Sequence, residues 1–453
     1  MKFITIDIGS TFVKAGLFDV DSRQDVGKIK YATPGKRKDS DIFCFENRAL
    51  DFVRIVKQII QEYVEIYTDV SGVLFSTQQH GCVICHPELP EDVYISWQDT
   101  RSLQLRDGGE KSYMQELQER FSREDMEVNG VYIKPALALC NLYTLFEKGE
   151  LSRSEETKIY TLGSYIIEHL TGNNICHITN AAPMGFADII HSSWRWDMLR
   201  ELNLDFFQLP KITNQMESCG YYAIGERRIA VFPDVGDVQT CVYGTDAENG
   251  DLVINIGTSG QLIYVTDSFK PGTYEVRPFY ENNYCNVISC MPGGRNFDVQ
   301  IDYVKDIGEK IFKVKLERTE IWNRIHQIGL ERESNGLEVD CGFYELPDRL
   351  ADGNIRHINH DNLKLQNVFW ATALDYGRTY KKYANILCGD NTKYDTVYFI
   401  GGALLKNKEL QEAIRQEMGV KKVVCAENDE VFCGMQKLVL QCVERMKTDE
   451  TEN

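Results

Sequence analysis

The chain has 453 residues, 43% hydrophobic and 26% charged, the make-up of a globular protein with ample core. At ~100–200 residues per domain, that length implies two large domains or three small ones. Its 68 acidic against 50 basic side chains leave a net charge of −18, so the basic surplus that non-specific nucleic-acid or anionic-membrane binding requires is missing. No apolar leader follows Met1 and Lys2, and no run reaches the ~20 apolar residues of a membrane span, so a cytoplasmic protein is expected. The fourteen cysteines, many inside apolar strand-like runs, fit reduced buried thiols better than a disulfide framework.

The first predicted element is a hairpin. β-Patterned residues 3–8 and 13–18 flank the turn Gly9-Ser10-Thr11. Ser10, Thr11 and the turn amides can donate to phosphate oxygens, with Lys14 as a point charge beside them. Asp7 ends the first strand, where a carboxylate can hold a phosphate-bound Mg2+ through water. An ordinary hairpin with Gly-Ser at its turn is the competing reading. Residues 19–47 read as a polar stretch whose basic cluster, 35–38, is solvated. Phe52, Val53, Val56, Ile59, Ile60, Tyr63 and Tyr67 recur with helical period, so an amphipathic helix covers 49–67.

A strand over 70–75 runs into Ser76-Thr77-Gln78-Gln79-His80-Gly81, a polar loop at the end of a buried strand, where α/β sheets bind ligands. Cys82, Cys85 and His86 match a haem-attachment spacing, but they lie in a β-patterned run with no export signal, and haem is set aside. Trp97, Asp99 and Arg101 together suit one wall of a polyol site, and they suit a salt-bridged loop equally well. Residues 110–174 look helical, with Gly172 as a stop signal. Residues 178–188 read as a small-residue loop before Trp194 and Trp196. A strand then delivers Asp234 and Asp237 to a turn at Gly236.

The second half repeats the order of the first. Residues 251–266 again read strand, turn, strand, with Asn255 where Asp7 stood and Gly257-Thr258-Ser259 repeating Gly9-Ser10-Thr11. An amphipathic helix follows over 365–388, with Leu374, Gly377, Tyr380, Ala384 and Leu387 on one stripe. A strand over 396–400 ends in Gly401-Gly402-Ala403, whose glycines let backbone approach a flat ligand, and a helix covers 408–418. A closing helix, 432–443, precedes a polar tail, 449–453. Two phosphate-type hairpins imply a duplicated architecture with a nucleotide held between the halves.

At this point the motifs resemble a known family. Asp7-Ile8-Gly9-Ser10-Thr11, Asn255-Ile256-Gly257-Thr258-Ser259 and Gly401-Gly402-Ala403 are similar to the first phosphate, second phosphate and adenosine motifs of the actin/hexokinase ATPase superfamily. Ser76–Gly81 resembles the Ser-Gly-Gln-Met-His-Gly stretch of the FGGY carbohydrate kinases, with Thr77 in place of a Gly and Gln79 in place of the Met. Residues 163–172 and the loop through Ala187 and Asp188 resemble that family too. Trp97-Gln98-Asp99-Thr100-Arg101, Gly236-Asp237-Val238-Gln239 and Glu345-Leu346-Pro347-Asp348-Arg349 look most like its sedoheptulokinase branch.

The resemblance implies an α/β fold of two duplicated ribonuclease-H-like, actin-like ATPase domains, with a cleft that closes between them. An N-terminal domain, 1–245, would carry the sugar site, first phosphate motif and catalytic Asp. A C-terminal domain, 246–453, would carry the second phosphate and adenosine motifs. The implied reaction is phosphoryl transfer from Mg·ATP to a primary hydroxyl of a ketose, sedoheptulose first and xylulose next. Asp237 would be the general base, with Asp234 the weaker alternative, and Asp7 would position Mg2+ through water. Gly9, Ser10, Thr11, Lys14, Gly257 and Thr258 would bind phosphates, and Gly401, Gly402 and Ala403 would face adenosine. Gln79, His80, Trp97, Asp99, Arg101 and Gln239 are the sugar candidates. The implied partners are a small sugar and ATP, without nucleic acid or membrane, and with a homodimer left open. Two other classes stand beside this one: a non-catalytic sugar-binding relative, and a sugar-independent ATPase of chaperone or filament type.

Overall fold

A computed structural model describes residues 1–37, 41–328, 334–389, 394, 396–426 and 429–452, so the last residue of the basic cluster 35–38 and Asn453 lie outside it. The chain packs as two compact units. The first comprises Met1–Asp246, Val276–Tyr284 and Asp429–Asn453, and the second comprises Ala247–Glu275 and Cys285–Asn428.

In the first unit, the strand Lys2–Ile8 pairs antiparallel with Phe12–Asp19, which pairs antiparallel with Gln24–Ala32. On its other side Lys2–Ile8 runs parallel to Val70–Thr77, which runs parallel to Arg227–Gly236. These central strands are covered on both faces, so they carry near-continuous buried apolar runs through Ile4, Ile6, Ile8, Val73, Leu74 and Phe75. The helix Ala49–Ile66 supplies part of that cover by burying Phe52, Val53, Val56, Ile59, Ile60 and Tyr63. That is the stripe its sequence spacing predicts.

The second unit repeats the plan. Beyond an edge strand, Glu275–Pro278, its strands lie in the order Tyr284–Met291, Gly260–Thr266, Leu252–Ile256, Val397–Ile400, Val423–Cys425. This corresponds strand for strand to Gln24–Ala32, Phe12–Asp19, Lys2–Ile8, Val70–Thr77 and Arg227–Gly236 in the first. The pairing senses that can be compared agree: an antiparallel hairpin, then two parallel neighbours. Leu365–Cys388 is the expected long helix, with Leu374, Gly377, Tyr380, Ala384 and Leu387 all buried.

Several sequence expectations change. Residues 110–174 are α-helical only at Tyr113–Arg120, Ala138–Glu147 and Leu162–Thr171, with a 3-10 turn at Glu127–Asn129, and Lys158–Tyr160 is a strand. It pairs with Cys82–Cys85, a partner far off in sequence that local periodicity does not report. The expected loop at 178–188 contains a short helix, Ile178–Ala181, and a strand, Ala187–Asp188. The closing helix is longer than expected, Glu430–Glu452, and takes in most of the tail. A division at 245/246 also assigns that helix and Val276–Tyr284 to the second half, whereas both pack in the first unit. Lys437 Nζ of the closing helix donates to the Tyr243 carbonyl at 2.7 Å. Among the described residues no helix is long and apolar enough to cross a membrane.

Candidate functional site

In the first unit the hairpin register sets Asp7 directly opposite Lys14 on the neighbouring strand. Its three-residue turn is closed by Gly9 N–H donating to the Phe12 carbonyl at 3.1 Å, and Ser10 and Thr11 stand exposed at its tip. Exposed hydroxyls and turn amides on a rigid hairpin suit phosphate oxygens. Lys14 Nζ lies 3.5 Å from Asp429 Oδ2, just ahead of the closing helix. Asp7 is buried, and that burial, with repulsion from Asp237 and Asp429, lifts its carboxyl to about 7 despite the pull of Lys14. The charges of Asp237 and Asp429 acting on Asp7 concentrate negative charge that a cation would relieve. Among the described residues no cluster of three metal-ligating side chains exists, so a protein cage for the ion is not formed by them.

The acceptor candidates converge because two parallel strands end side by side. Thr77 is in register with Gly236, which brings the loop that follows, Gln78–His80, up to Asp237. Gln79 Nε2 donates to Gln239 Oε1 at 2.9 Å and to the Thr179 carbonyl at 2.7 Å. Gln79 Oε1 accepts from an Arg277 N–H at 3.3 Å. Gly236 is required here, since a Cβ on it would overlap the Gln79 amide nitrogen. Gln239 is wholly buried and reaches the Pro278 carbonyl at 3.4 Å. His80 takes a left-handed conformation, φ 69°, and its Nδ1 lies 3.2 Å from the Pro183 carbonyl.

Asp237 opens the helix Asp237–Gly244, and its Oδ1 accepts from Val238 N–H at 2.8 Å. Burial pushes its carboxyl up to about 6, partly offset by the N–H bond and by the positive charge of Arg277. A carboxylate tuned towards neutrality at the head of a helix, beside a polar loop, is equipped to take a proton. Asp234 is also raised, to about 7, by burial. Its oxygens are engaged by Thr161 Oγ1 at 2.8 Å, Asn180 Nδ2 at 2.9 Å and His177 N–H at 3.2 Å. Asp234 therefore ties down residues 177–180, the segment that presents the Thr179 carbonyl to Gln79.

Trp97 is 41% exposed, open to stack on a ligand. Asp99 and Arg101, two of the sugar candidates, satisfy one another. Asp99 is wholly buried and accepts from Arg101 Nε at 2.9 Å and from an Arg101 terminal N–H at 2.8 Å. Asp99 Oδ2 also accepts from Phe45 N–H at 2.7 Å, and Arg101 reaches Glu46 at 2.6 Å. This is the salt-bridged loop. The other cysteine–histidine motif is structural as well: Cys82 is fully buried, and both His86 ring nitrogens lie against the main chain, at Ser152 O and Glu88 N.

In the second unit the turn Gly257-Thr258-Ser259 repeats the first, with Gly257 N–H donating to the Ser259 carbonyl at 3.1 Å. Asn255 faces Gln261 where Asp7 faces Lys14, and its Nδ2 lies 3.3 Å from Gln261 Oε1. Gly401 has φ +87°, and a Cβ there would press on Asn255 Oδ1 and the Ile256 carbonyl, so only glycine fits. A cavity of about 650 Å³ opens beside the turn, lined by Gly257, Thr258, Gly402, Ala403, Trp322 and His326 among others. Gly401 is not in its wall. Trp322 and His326 stack with ring centroids 5.5 Å apart, giving the cavity a flat aromatic side. Sequence reasoning missed Trp322, His326, Thr179, Arg277 and Asp429. The helical pattern at 318–328 was the available signal for the first two, and the others lie far in sequence from the groups they touch.

The comparisons with known proteins agree with this construction. Residues 2–233 match the model of the FGGY family of carbohydrate kinases, N-terminal domain, and the chain belongs to that family. It is a carbohydrate kinase, and its two units are the duplicated ribonuclease-H-like domains of that fold. Mouse (Mus musculus) sedoheptulokinase is 21% identical over 412 residues, 80% of this chain and 81% of the relative. A gluconate kinase from Lactobacillus acidophilus superposes with a TM-score of 0.81 at 17% identity, covering 98% of this chain and 90% of that one. Plasmodium falciparum glycerol kinase with ADP superposes at 0.78 and 15% identity, covering 96% and 88%.

Proposed function

We propose that this kinase transfers the γ-phosphate of ATP to a primary hydroxyl of a ketose, with sedoheptulose as its first substrate and Asp237 as the general base. The observation that carries the reading is the placement of Asp237. It is a half-buried carboxylate lifted to about 6, on the helix that follows the Gly236 turn, beside the Gln79–Gln239 amide pair. There Asp237 orients the attacking hydroxyl and accepts its proton as the new P–O bond forms. Trp97 offers a ring to the C–H faces of the sugar, and His80 lies beside the amide pair. Ser10, Thr11 and Lys14 in the first unit and Thr258 in the second donate to phosphate oxygens, and Gly257, its N–H turned to the Ser259 carbonyl, shapes the second turn. Gly402 and Ala403, with Trp322 and His326, line a cavity large enough for adenosine.

The residues around Asp7 fit a Mg2+ held through water, because the charges of Asp237 and Asp429 lie close enough to raise the Asp7 carboxyl. Such an ion would neutralise charge on the phosphates. The choice of sedoheptulose is supported by the mouse relative and by the motifs around Trp97, Gly236 and Leu346, and xylulose is the second candidate.

Asp237→Asn tests the base. Its kcat should fall by roughly 10²–10⁴-fold while equilibrium binding of the sugar is kept. Activity within tenfold of the parent would end the assignment. ATP consumption measured across C5–C7 ketoses and polyols tests the acceptor, and equal turnover without any sugar would return the protein to the ATPase class.

A further inference from the structure

In the second unit, Arg295 stands in the first turn of the helix Gly294–Lys310, where its charge is out of place. The N-terminal end of a helix carries partial positive charge, so a cation there adds like to like. No acidic residue stands in that turn to offset it. Among the described residues no carboxylate pairs with Arg295. Its guanidinium lies instead on the Tyr344 ring, with Cζ 4.4 Å from the centroid. Stacking occupies the flat face and leaves the N–H edge for hydrogen bonding. Nε at that edge is buried with no partner among the described residues, a costly state for a donor unless a ligand brings the acceptor.

The start of this helix is fastened to the second hairpin's turn. Gly294 N–H donates to the Gly257 carbonyl at 2.8 Å, and Arg295 N–H donates to the Thr258 carbonyl at 3.1 Å. Asn296 N–H turns back to the Gly293 carbonyl at 3.0 Å. The first amides of the helix are thus spent on the turn and its own cap, and the Arg295 side chain is what remains to donate. Arg295 and Gly294 line the same cavity of about 650 Å³ as Gly257 and Thr258. Asp298, also in its wall, is countered by Arg318, whose terminal nitrogen lies 2.9 Å away. We propose that Arg295 is a further phosphate-binding residue of this kinase, donating from its guanidinium to the diphosphate of the nucleotide at the Gly257–Ser259 turn. The inference rests on the reading of that turn as a phosphate site. Residues 255–261 carry no positive charge, whereas the first hairpin has Lys14, so the second takes its cation from the helix that follows. A guanidinium fork matches phosphate oxygens in geometry as well as charge.

The test is calorimetric titration of the full-length protein with adenosine, ADP and ATP. Arg295→Gln removes the charge, and the Kd for ADP and ATP should rise roughly 10–100-fold while that for adenosine stays within about twofold of the parent. A merely structural role would move all three together. Arg295→Lys keeps the charge without the fork, and should bind ADP within about tenfold of the parent. Tyr344→Leu removes the stacking face and should weaken ADP by roughly two- to fivefold with adenosine unmoved; it is read in place of Arg295→Gln if that variant does not fold. Adenosine lost in step with ADP, or ADP affinity unchanged, overturns the proposal and leaves Arg295 a packing residue. Thr258→Val run beside it identifies which idea has failed. ADP affinity unchanged in Thr258→Val and Arg295→Gln alike puts the phosphates away from the second turn, and overturns the underlying reading together with the proposal.

Discussion

The two hairpins share a backbone plan and differ in charge. Each is a strand, a three-residue turn closed by one main-chain hydrogen bond, and a returning strand, and each lies next to a parallel strand that ends in a site loop. At the rung before the turn the first has Asp7 opposite Lys14, and the second has Asn255 opposite Gln261. The amide pair can only hydrogen-bond, and it packs beneath Gly401 beside the cavity edge. The ionic rung sits in a field of further charges, Asp237 and Asp429, and is held out of balance, with Asp7 lifted to about 7. The same fold thus supplies one neutral cradle and one electrostatically loaded one. Chemistry that needs a cation and a base is expected at the loaded end.

Swapping the rungs probes the difference most strongly. Asp7→Asn makes the first hairpin resemble the second, and kcat should drop by roughly 10²–10³-fold with far less change in the KM for the sugar. The same variant should be more stable than its parent at high pH. The folded-state value of Asp7, about 7, lies above the ~3.9 of an unfolded aspartate, so its contribution favours folding fully below about pH 4 and is lost as pH rises through 7. Melting without nucleotide or metal should therefore show Asp7→Asn ahead by about 2 °C or more at pH 8 and level with its parent near pH 4. A variant that is less stable at pH 8 would mean that the charge at Asp7 is already compensated within the fold.

A smaller effect is expected on the neutral side. Trp322→Ala removes the flat wall of the second unit's cavity, and the KM for ATP should rise about tenfold, in line with ~1–1.5 kcal/mol for a lost aromatic contact. The sugar KM should not move; if it does instead, the cavity is not the nucleotide's. Smallest of the three, Asn255→Asp gives the second hairpin a carboxylate with no lysine opposite. ATP affinity should weaken by roughly two- to fivefold at low salt, and the loss should shrink as salt rises. Unchanged ATP affinity at low salt would show that the neutrality of this rung is incidental.

Much of the framework was legible because it is local. The alternation at 3–8 and 13–18, the helical stripe from Phe52 to Tyr63, and the echo at 251–266 each follow from side-chain period, and each element formed as expected. Lys158–Tyr160 was read as helix because its pairing with Cys82–Cys85 comes from elsewhere in the chain. The site divides in the same way. The motif residues Asp7, Gln79, Asp237 and Gly402 stand near strand ends, in the loop that follows or at the helix starts beyond, positions that the local pattern reports. Asp99 and Arg101 stand two residues apart, close on each other and are buried, which their residue types alone do not report.

What the sequence determined by itself was the duplicated order of elements, the two glycine-led turns and the carboxylates at the strand ends, since these depend on period and on residue type. Tertiary packing alone decided which of those groups stay open to a ligand and how each is charged. It drew Arg277 and Asp429 into the first unit from 40 and 192 positions beyond Asp237 (277 − 237 and 429 − 237). It also lifted the carboxyls of Asp7 and Asp237 towards neutrality by taking them out of water. Burial and long-range charge are sums over every neighbour in space, and neighbours in space are what a linear pattern does not record.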